Sequence, residues 1–369
     1  MSDGRGTLVE RFVDTSEIDT VMRFFREHWG KDHILGNDRD FMLWQMSPQR
    51  SPIFANAGLA ALSYWDGLRL AGLIGVMSMP FNCNGEVADS AWLCNLQAAP
   101  EYLPLGIGTK LMTGVHKLPI AGIGAAGINL RVIPMYRAMR YHCIDKLPRF
   151  IRIVDAARAR ALIAGKSAEE MLSPRTAARR DSACHVEHAT ASGDEWDAFW
   201  ANFTSAGYFG THRDSNFIRW RYLEHPRLRY QVTLARDSAG RLVGAMVHRL
   251  ETVKDREEKL LRVVELIARE DAAYAALLIE AERVGADAGV AFIDHYSSQP
   301  RADIFRDLGW YEEDDHPGVV TPGLFQPLLR QTRKINLAVR LLGGTAWKAK
   351  PWREQLYVVK ADGDQDRPS

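Results

Sequence analysis

Apolar positions along the chain follow a recurring order of helical and extended patterns. Over residues 16–29, Ile18, Val21, Met22, Phe25 and Trp29 recur at helical spacing, with Ser16 where an N-cap belongs. Residues 57–66 and 68–79 read as two strands joined by Asp66-Gly67, a strong hairpin signal. Residues 91–98 form a third, mostly apolar strand. The pattern then predicts a helix over 105–117, a strand over 127–132, a short helix over 135–141 and a strand over 149–154. The second half repeats this plan. It predicts a helix over 195–204, strands over 229–236, 241–251 and 260–268, a helix over 272–286 and a strand over 290–296.

The repetition extends to the residues themselves. Asp38 to Met46 reads DRDFMLWQM and Asp214 to Tyr222 reads DSNFIRWRY, with Asp, Phe and Trp in register. Arg69-Leu70-Ala71-Gly72 is answered by Arg241-Leu242-Val243-Gly244, and the run from Tyr136 to Tyr141 by that from Phe305 to Trp310. Three matches in one order imply one fold used twice. Strands mixed with helices predict an α/β (α+β) class with partly parallel, partly antiparallel sheets. The expected division is a first domain over 1–155, a linker over 156–180 rich in Ala and Arg, and a second domain over 181–369.

Length and composition suit that division. The 369 residues exceed one ordinary core, and 46% hydrophobic with 25% charged residues is a globular balance. A net charge of +1 argues against bulk electrostatic binding of nucleic acid. The start lacks a signal-peptide pattern, and no apolar run reaches the ~20 residues of a membrane helix. Cys83, Cys94, Cys143 and Cys184 lack metal or disulfide spacing and read as buried small residues. A cytoplasmic protein without membrane contact or metal is expected. The acidic runs at 257–258 and 312–316 read as solvated loops.

Candidate chemistry begins where the strand over 91–98 is followed by Leu105-Gly106-Ile107-Gly108-Thr109 and a helix. Glycines allow close approach of backbone N–H groups, and a helix N-terminus favours a pyrophosphate. The loop lacks the G-K-[ST] ending of a nucleotide-triphosphate loop. Here the sequence resembles the GCN5-related N-acetyltransferase (GNAT) superfamily, whose acyl-CoA loop reads (Arg/Gln)-x-x-Gly-x-(Gly/Ala). Leu103 departs from its first position; Gly106 and Gly108 match. The resemblance implies acyl-CoA as co-substrate, held by Leu96, Gln97, Ala98, Leu105, Gly106, Ile107, Gly108, Thr109 and Asn129. It also implies Tyr136 as the acid that protonates the departing thiolate; read alone, Tyr136 is a half-buried packing residue. The second half has Arg269-Glu270-Asp271 at the equivalent junction, so a single CoA site is expected.

Three stretches, 28–35, 217–226 and 362–368, look like two-domain GNAT proteins that N-acylate nucleotide-linked amino sugars. That resemblance implies a nucleotide-linked amino sugar as the acceptor and a cleft between the halves. His33 is a candidate base, or a capping or packing histidine. Asp294 and His295 end a core strand and either face the cleft or solvate a loop. Arg213, Arg221 and Tyr222 are candidate ligands for the acceptor's diphosphate and base, whereas Phe217 and Trp220 read as core. The alternatives are acylation of another small amine or a protein, and a non-catalytic acyl-CoA-binding protein.

Overall fold

A computed structural model describes residues 7–173, 175, 184–189, 193–331 and 334–369. Fourteen strands build two sheets. In chain order they are β1 (Leu8–Val13), β2 (Leu59–Asp66), β3 (Arg69–Ser78), β4 (Ser90–Ala98), β5 (Gly122–Ala126), β6 (His142–Ile144) and β7 (Arg149–Ile153), then β8 (His185–His188), β9 (Gln231–Arg236), β10 (Leu242–Thr252), β11 (Lys259–Ala268), β12 (Phe292–Tyr296), β13 (Tyr311–Glu312) and β14 (Leu337–Leu341). The first sheet has the order β1-β2-β3-β4-β5-β14-β6, and the second β8-β9-β10-β11-β12-β7-β13. In each, one central pair is parallel, β4 with β5 and β11 with β12; the other neighbours are antiparallel. The mixed α/β class expected from the sequence is the class observed.

The sheets do not divide at residue 155. β7, expected to finish the first half, lies in the second sheet between β12 and β13. In exchange, β14 returns from the far side of the second half to lie between β5 and β6. The halves are therefore joined by reciprocal strands. The first part of the expected linker folds as two short helices, Ala156–Leu162 and Ala168–Leu172, packed on the second sheet through Ala159, Leu162 and Met171. Residues 174 and 176–180 of that linker lie outside the described residues.

Four labelled helices fall where predicted, α1 (Ile18–His28), α3 (Ile107–Val115), α4 (Ile133–Ala138) and α5 (Asp271–Asp287), and the helix expected over 195–204 spans Gly193–Thr204; α2 (Arg39–Gln45) and α6 (Ala302–Asp307) are additional. The cap before α1 is Asp14 with Glu17, in a capping box, and not Ser16. The strand expected over 127–132 lies five positions earlier, as β5. Its sequence, GIGAA, has weak strand propensity, and Trp92 lies against Gly124, where a Cβ would come within 2.6 Å of its ring.

The repeated DxxFxxW motif has a structural reason. Asp38 accepts from Phe41 N–H at 2.9 Å and Asp214 from Phe217 N–H at 2.8 Å, so each Asp is an N-cap. The two tryptophans meet: Trp44 stacks on Trp220 with centroids 5.0 Å apart, and its indole N–H donates to Trp220 O at 3.3 Å. The internal repeat thus builds the contact between the halves.

Candidate functional site

Strands β4 and β5 are paired only from Ser90 and Gly122 to Leu93 and Ala125. β4 then runs on to Ala98 without a partner on that edge among the described residues. Opposite β3 its register shifts at Asn95, which has a left-handed φ of 54°. Gln45 of α2 donates to Asn95 Oδ1 at 2.9 Å and holds the bulge. The two strands diverge, and Leu96 and Gln97 lie half-buried along the opening. Backbone groups on this free edge can hydrogen-bond an extended ligand.

The opening leads to the N-terminus of α3. Gly106 caps it with φ +67°, a conformation that favours glycine, and donates to Leu103 O at 3.0 Å. The first helical bond runs from Lys110 N–H to Gly106 O at 3.0 Å. The amides of Ile107, Gly108 and Thr109 precede it and form the helix's positive end. A Cβ at Gly106 or Gly108 would meet nothing within 4 Å, so the loop faces open space. A Gly108→Glu substitution therefore has room in the fold, and its carboxylate would occupy the position of a phosphate. The expected outcome is acyl-CoA affinity reduced tenfold or more at unchanged melting temperature, checked by calorimetry. Unchanged affinity would count against this loop. Asn129 is exposed and caps the turn after β5 through Arg131 N–H at 3.0 Å.

At the other end of the opening lies Tyr136 of α4, 4% exposed and edge-on to Tyr141 at 4.9 Å. Burial, helped by the charge of Asp364, raises its hydroxyl pKa well above the ordinary tyrosine value, so it stays a protonated donor. Asp364 belongs to the last stretch of the chain, which the sequence presents as polar and irregular. Here that stretch is internal. A Cβ on Gly363 would lie 3.5 Å from Trp92 and 3.8 Å from Ala126, while the side chain of Gln365 fills the space beside Gly127. These neighbours bracket Asp364 at the end of β5. Its carboxylate is 8% exposed and accepts from Gln365 Nε2 at 2.7 Å. Burial raises its pKa, against the opposing charge of Arg367.

Arg367 lies 4% exposed, with its guanidinium 3.8 Å over the Phe325 ring and its Nε 3.9 Å from Asp364. It donates to His33 Nε2 at 3.4 Å. His33 stacks on Phe25 at 5.3 Å. Burial, with Arg367 adding to it, pushes the imidazole pKa down to about 3. His33, expected as a base or a packing histidine, thus reaches the site as a stacked imidazole that is neutral and weakly basic near neutral pH.

The other expected site residues are ties of the interior. Arg213 is 0% exposed, between Glu265 at 2.6 Å and Asp362 at 2.7 Å. Arg221, 1% exposed, donates to Ala361 O at 3.0 Å and Asp366 O at 3.1 Å. Tyr222, also 1% exposed, donates to Glu265 at 2.9 Å. Arg213 and Arg221 hold the C-terminal stretch, and Tyr222 holds Glu265, in place of the acceptor diphosphate and base expected for them. Asp294 is 0% exposed and receives Arg149 at 2.7 Å and Arg262 at 2.8 Å. Burial would raise its carboxyl pKa, but the two arginines outweigh it and hold it below the usual range. His295 is buried against Phe305, with Nδ1 2.9 Å from Val263 O. Neither reaches Tyr136 as a catalytic group. Glu313 and His316, expected in a solvated loop, are 7% and 3% exposed, and Glu313 pairs with Arg149.

No family model matches the chain, and no curated protein matches it in sequence. Solved structures match in fold. The GCN5-related N-acetyltransferase from Anabaena variabilis aligns over 91% of this chain and 73% of its own, at 10% identity and TM-score 0.60. That from Kribbella flavida aligns over 91% and 72%, at 16% identity and TM-score 0.54. Saccharomyces cerevisiae N-myristoyltransferase with bound myristoyl-CoA aligns over 92% and 85%, at 11% identity and TM-score 0.52. The fold of the chain is thus of the GCN5-related N-acetyltransferase type.

Proposed function

We propose that this chain is an acyl-CoA-dependent N-acyltransferase with one active centre, in the first half. The observation that carries this reading is the opening between β4 and β5, which runs from the free amides of α3 to Tyr136 and Asp364. Pyrophosphate binds the amides of Ile107, Gly108 and Thr109. The pantetheine arm adds to the free edge of β4 at Leu96 and Gln97, whose backbone also polarises the thioester carbonyl. Asp364 takes the proton of the acceptor ammonium. The neutral amine attacks, the C–N bond forms and the C–S bond breaks. Tyr136 gives its proton to the sulfur and regains one from the acylated nitrogen, which sheds its second proton as the amide forms, so CoA leaves as the thiol and Asp364 passes the first proton, the net proton of the reaction, to solvent. The second half has Glu270 and Asp271 where a phosphate would sit, and its part is to position the last residues of the chain.

A nucleotide-linked amino sugar as acceptor, and a cytoplasmic setting in which acyl-CoA is available, are the finer parts of this proposal. The sugar acceptor no longer has Arg213 and Arg221 as support, since both are internal. Its remaining support is the likeness of the three sequence stretches.

The test is release of CoA thiol from acetyl-CoA and longer acyl-CoAs, with nucleotide-linked amino sugars, amino acids and simple amines as acceptors. Acceptor-dependent release is expected with at least one amine. Tight acyl-CoA binding without release for any amine would favour the non-catalytic reading. In the active pairing, Tyr136→Phe should lower kcat about tenfold to a hundredfold with little change in KM, the pattern of an interaction made in the transition state. An unchanged kcat would assign thiolate protonation to another group.

A further inference from the structure

A cavity of about 1080 Å³ opens in the second half, beneath the C-terminal end of α5 and beside β9 and β10. Gly106 to Thr109 take no part in its lining, so it lies apart from the proposed acyl-CoA loop. One wall is apolar, built from Leu228, Val232, Leu261 and Val284. Leu223 and Leu250 extend it toward solvent, 40% and 47% exposed. Both exposed leucines lie on this one concavity, where an alkyl chain could cover them.

The remaining wall is cationic and rich in donors. Arg249 is 3% exposed, and its Nε has no hydrogen-bond partner among the described residues. The same holds for Nδ1 of His248, 0% exposed, whose Nε2 lies 3.2 Å from Thr233 Oγ1. A buried guanidinium N–H left without a partner is costly, and a ligand acceptor would satisfy that of Arg249; the imidazole nitrogen offers a further polar contact. At the mouth, Arg227 pairs with Asp38 and Asp287 with Arg283. Arg229 makes no ion pair among the described residues; its Nη1 reaches only His225 O, at 3.3 Å. The wall therefore carries one uncompensated exposed cation above two buried nitrogen atoms, facing an apolar floor.

We propose that this cavity is a second ligand site, for an amphipathic organic anion. Its alkyl body lies on the leucine and valine wall, and its anionic head meets Arg229, with the free nitrogen atoms of Arg249 and His248 as further partners. The volume is at the upper end of small-ligand pockets, roughly 300–1,000 Å³, and accommodates a chain of about ten carbons. Arg249 is itself paired with Glu251 at 2.6 Å and Asp366 at 2.7 Å, and so links the cavity to the segment that carries Asp364.

Sodium decanoate is the probe, titrated into the full chain by calorimetry below its micellar concentration. One site per chain is expected, with affinity unaffected by saturating CoA. Arg229→Ala should weaken it about tenfold, the loss of one charge-assisted contact. Leu250→Asp should weaken it at least as much by placing a carboxylate on the apolar wall. Both side chains are exposed, so the fold should persist, and unchanged melting curves verify this. Decyltrimethylammonium should bind at least tenfold more weakly than decanoate. Loss of decanoate binding on adding CoA would put the probe in the acyl channel and overturn the proposal. Wild-type affinity in both variants, or equal binding of the cation, would overturn it as well.

Discussion

Arg213→Ala should cost the protein about 3–5 kcal/mol of stability, the range for removing one partner of a buried ion pair. The guanidinium is 0% exposed and joins three distant parts of the chain. It donates to Glu265 on β11, to Asp362 near the end of the chain, and to Tyr208 Oη and Thr211 O, each at 2.9 Å. Removing it leaves two carboxylates together without a counter-ion in a dry interior. For a domain of this size that corresponds to a melting point lower by on the order of 10 °C. Arg213→Lys should recover little, because an ammonium cannot span the same four acceptors in the plane of the fork. Arg241→Ala is the control. Its pair with Asp237 is on the surface, 80% exposed at the arginine, and should change stability by less than about 0.5 kcal/mol. Thermal unfolding followed by circular dichroism decides it. A fall of less than about 1 kcal/mol for Arg213→Ala would mean that the pair is not a structural tie.

The same arginine marks where the sequence stopped being legible. Arginine is rarely buried, and its spacing is identical whether it meets a ligand or a carboxylate inside the protein. Arg213 and Arg221 therefore read as acceptor ligands, and only the carboxylates brought from 52 and 149 residues away and the carbonyls from 140 and 145 residues away reveal them as internal. The polar run over 362–368 misleads in the same way. Asp362, Asp366 and Arg367 are buried because each has a partner, and a partner cannot be read from composition.

What the sequence does show is local or periodic. The glycine turn before α3 needs residues that tolerate φ > 0, and Gly106 stands there. The DxxFxxW repeat is legible because an N-cap and two packed aromatics must recur together wherever this helix start is used. β7 is legible as a strand and β14 is not marked by the pattern, and even for β7 a strand's pattern specifies a buried face and not the neighbour it pairs with. Their exchange between the sheets is a long-range choice. The candidate base meets a related limit. His33 has the right residue type, yet its basicity is set by burial and by Arg367, 334 positions away.

Asp364→Asn should lower kcat by about 10²- to 10⁴-fold, the usual contribution of a positioned acid or base. Gly363 and Gln365 fix Asp364 at the end of β5, and its charge bears on Tyr136. Burial raises its pKa, so proton affinity moves toward the working range of a base. Since the base must be ionised, kcat should rise with pH through a limb that lies above the ordinary aspartate value. That limb should vanish in Asp364→Asn, and Asp364→Glu should restore part of the rate. Stability separates this from a structural role. A carboxyl whose folded pKa exceeds its unfolded one disfavours the fold once pH passes the unfolded value, near 3.9. Asparagine removes that cost and still offers an oxygen to Gln365 Nε2. The melting temperature at neutral pH should therefore hold or rise while the rate falls, and KM for acyl-CoA should stay within about twofold. A variant that melts early and keeps its turnover per folded molecule would make Asp364 a partner of Arg367 alone. The proton of the acceptor ammonium would then pass to solvent or to another group.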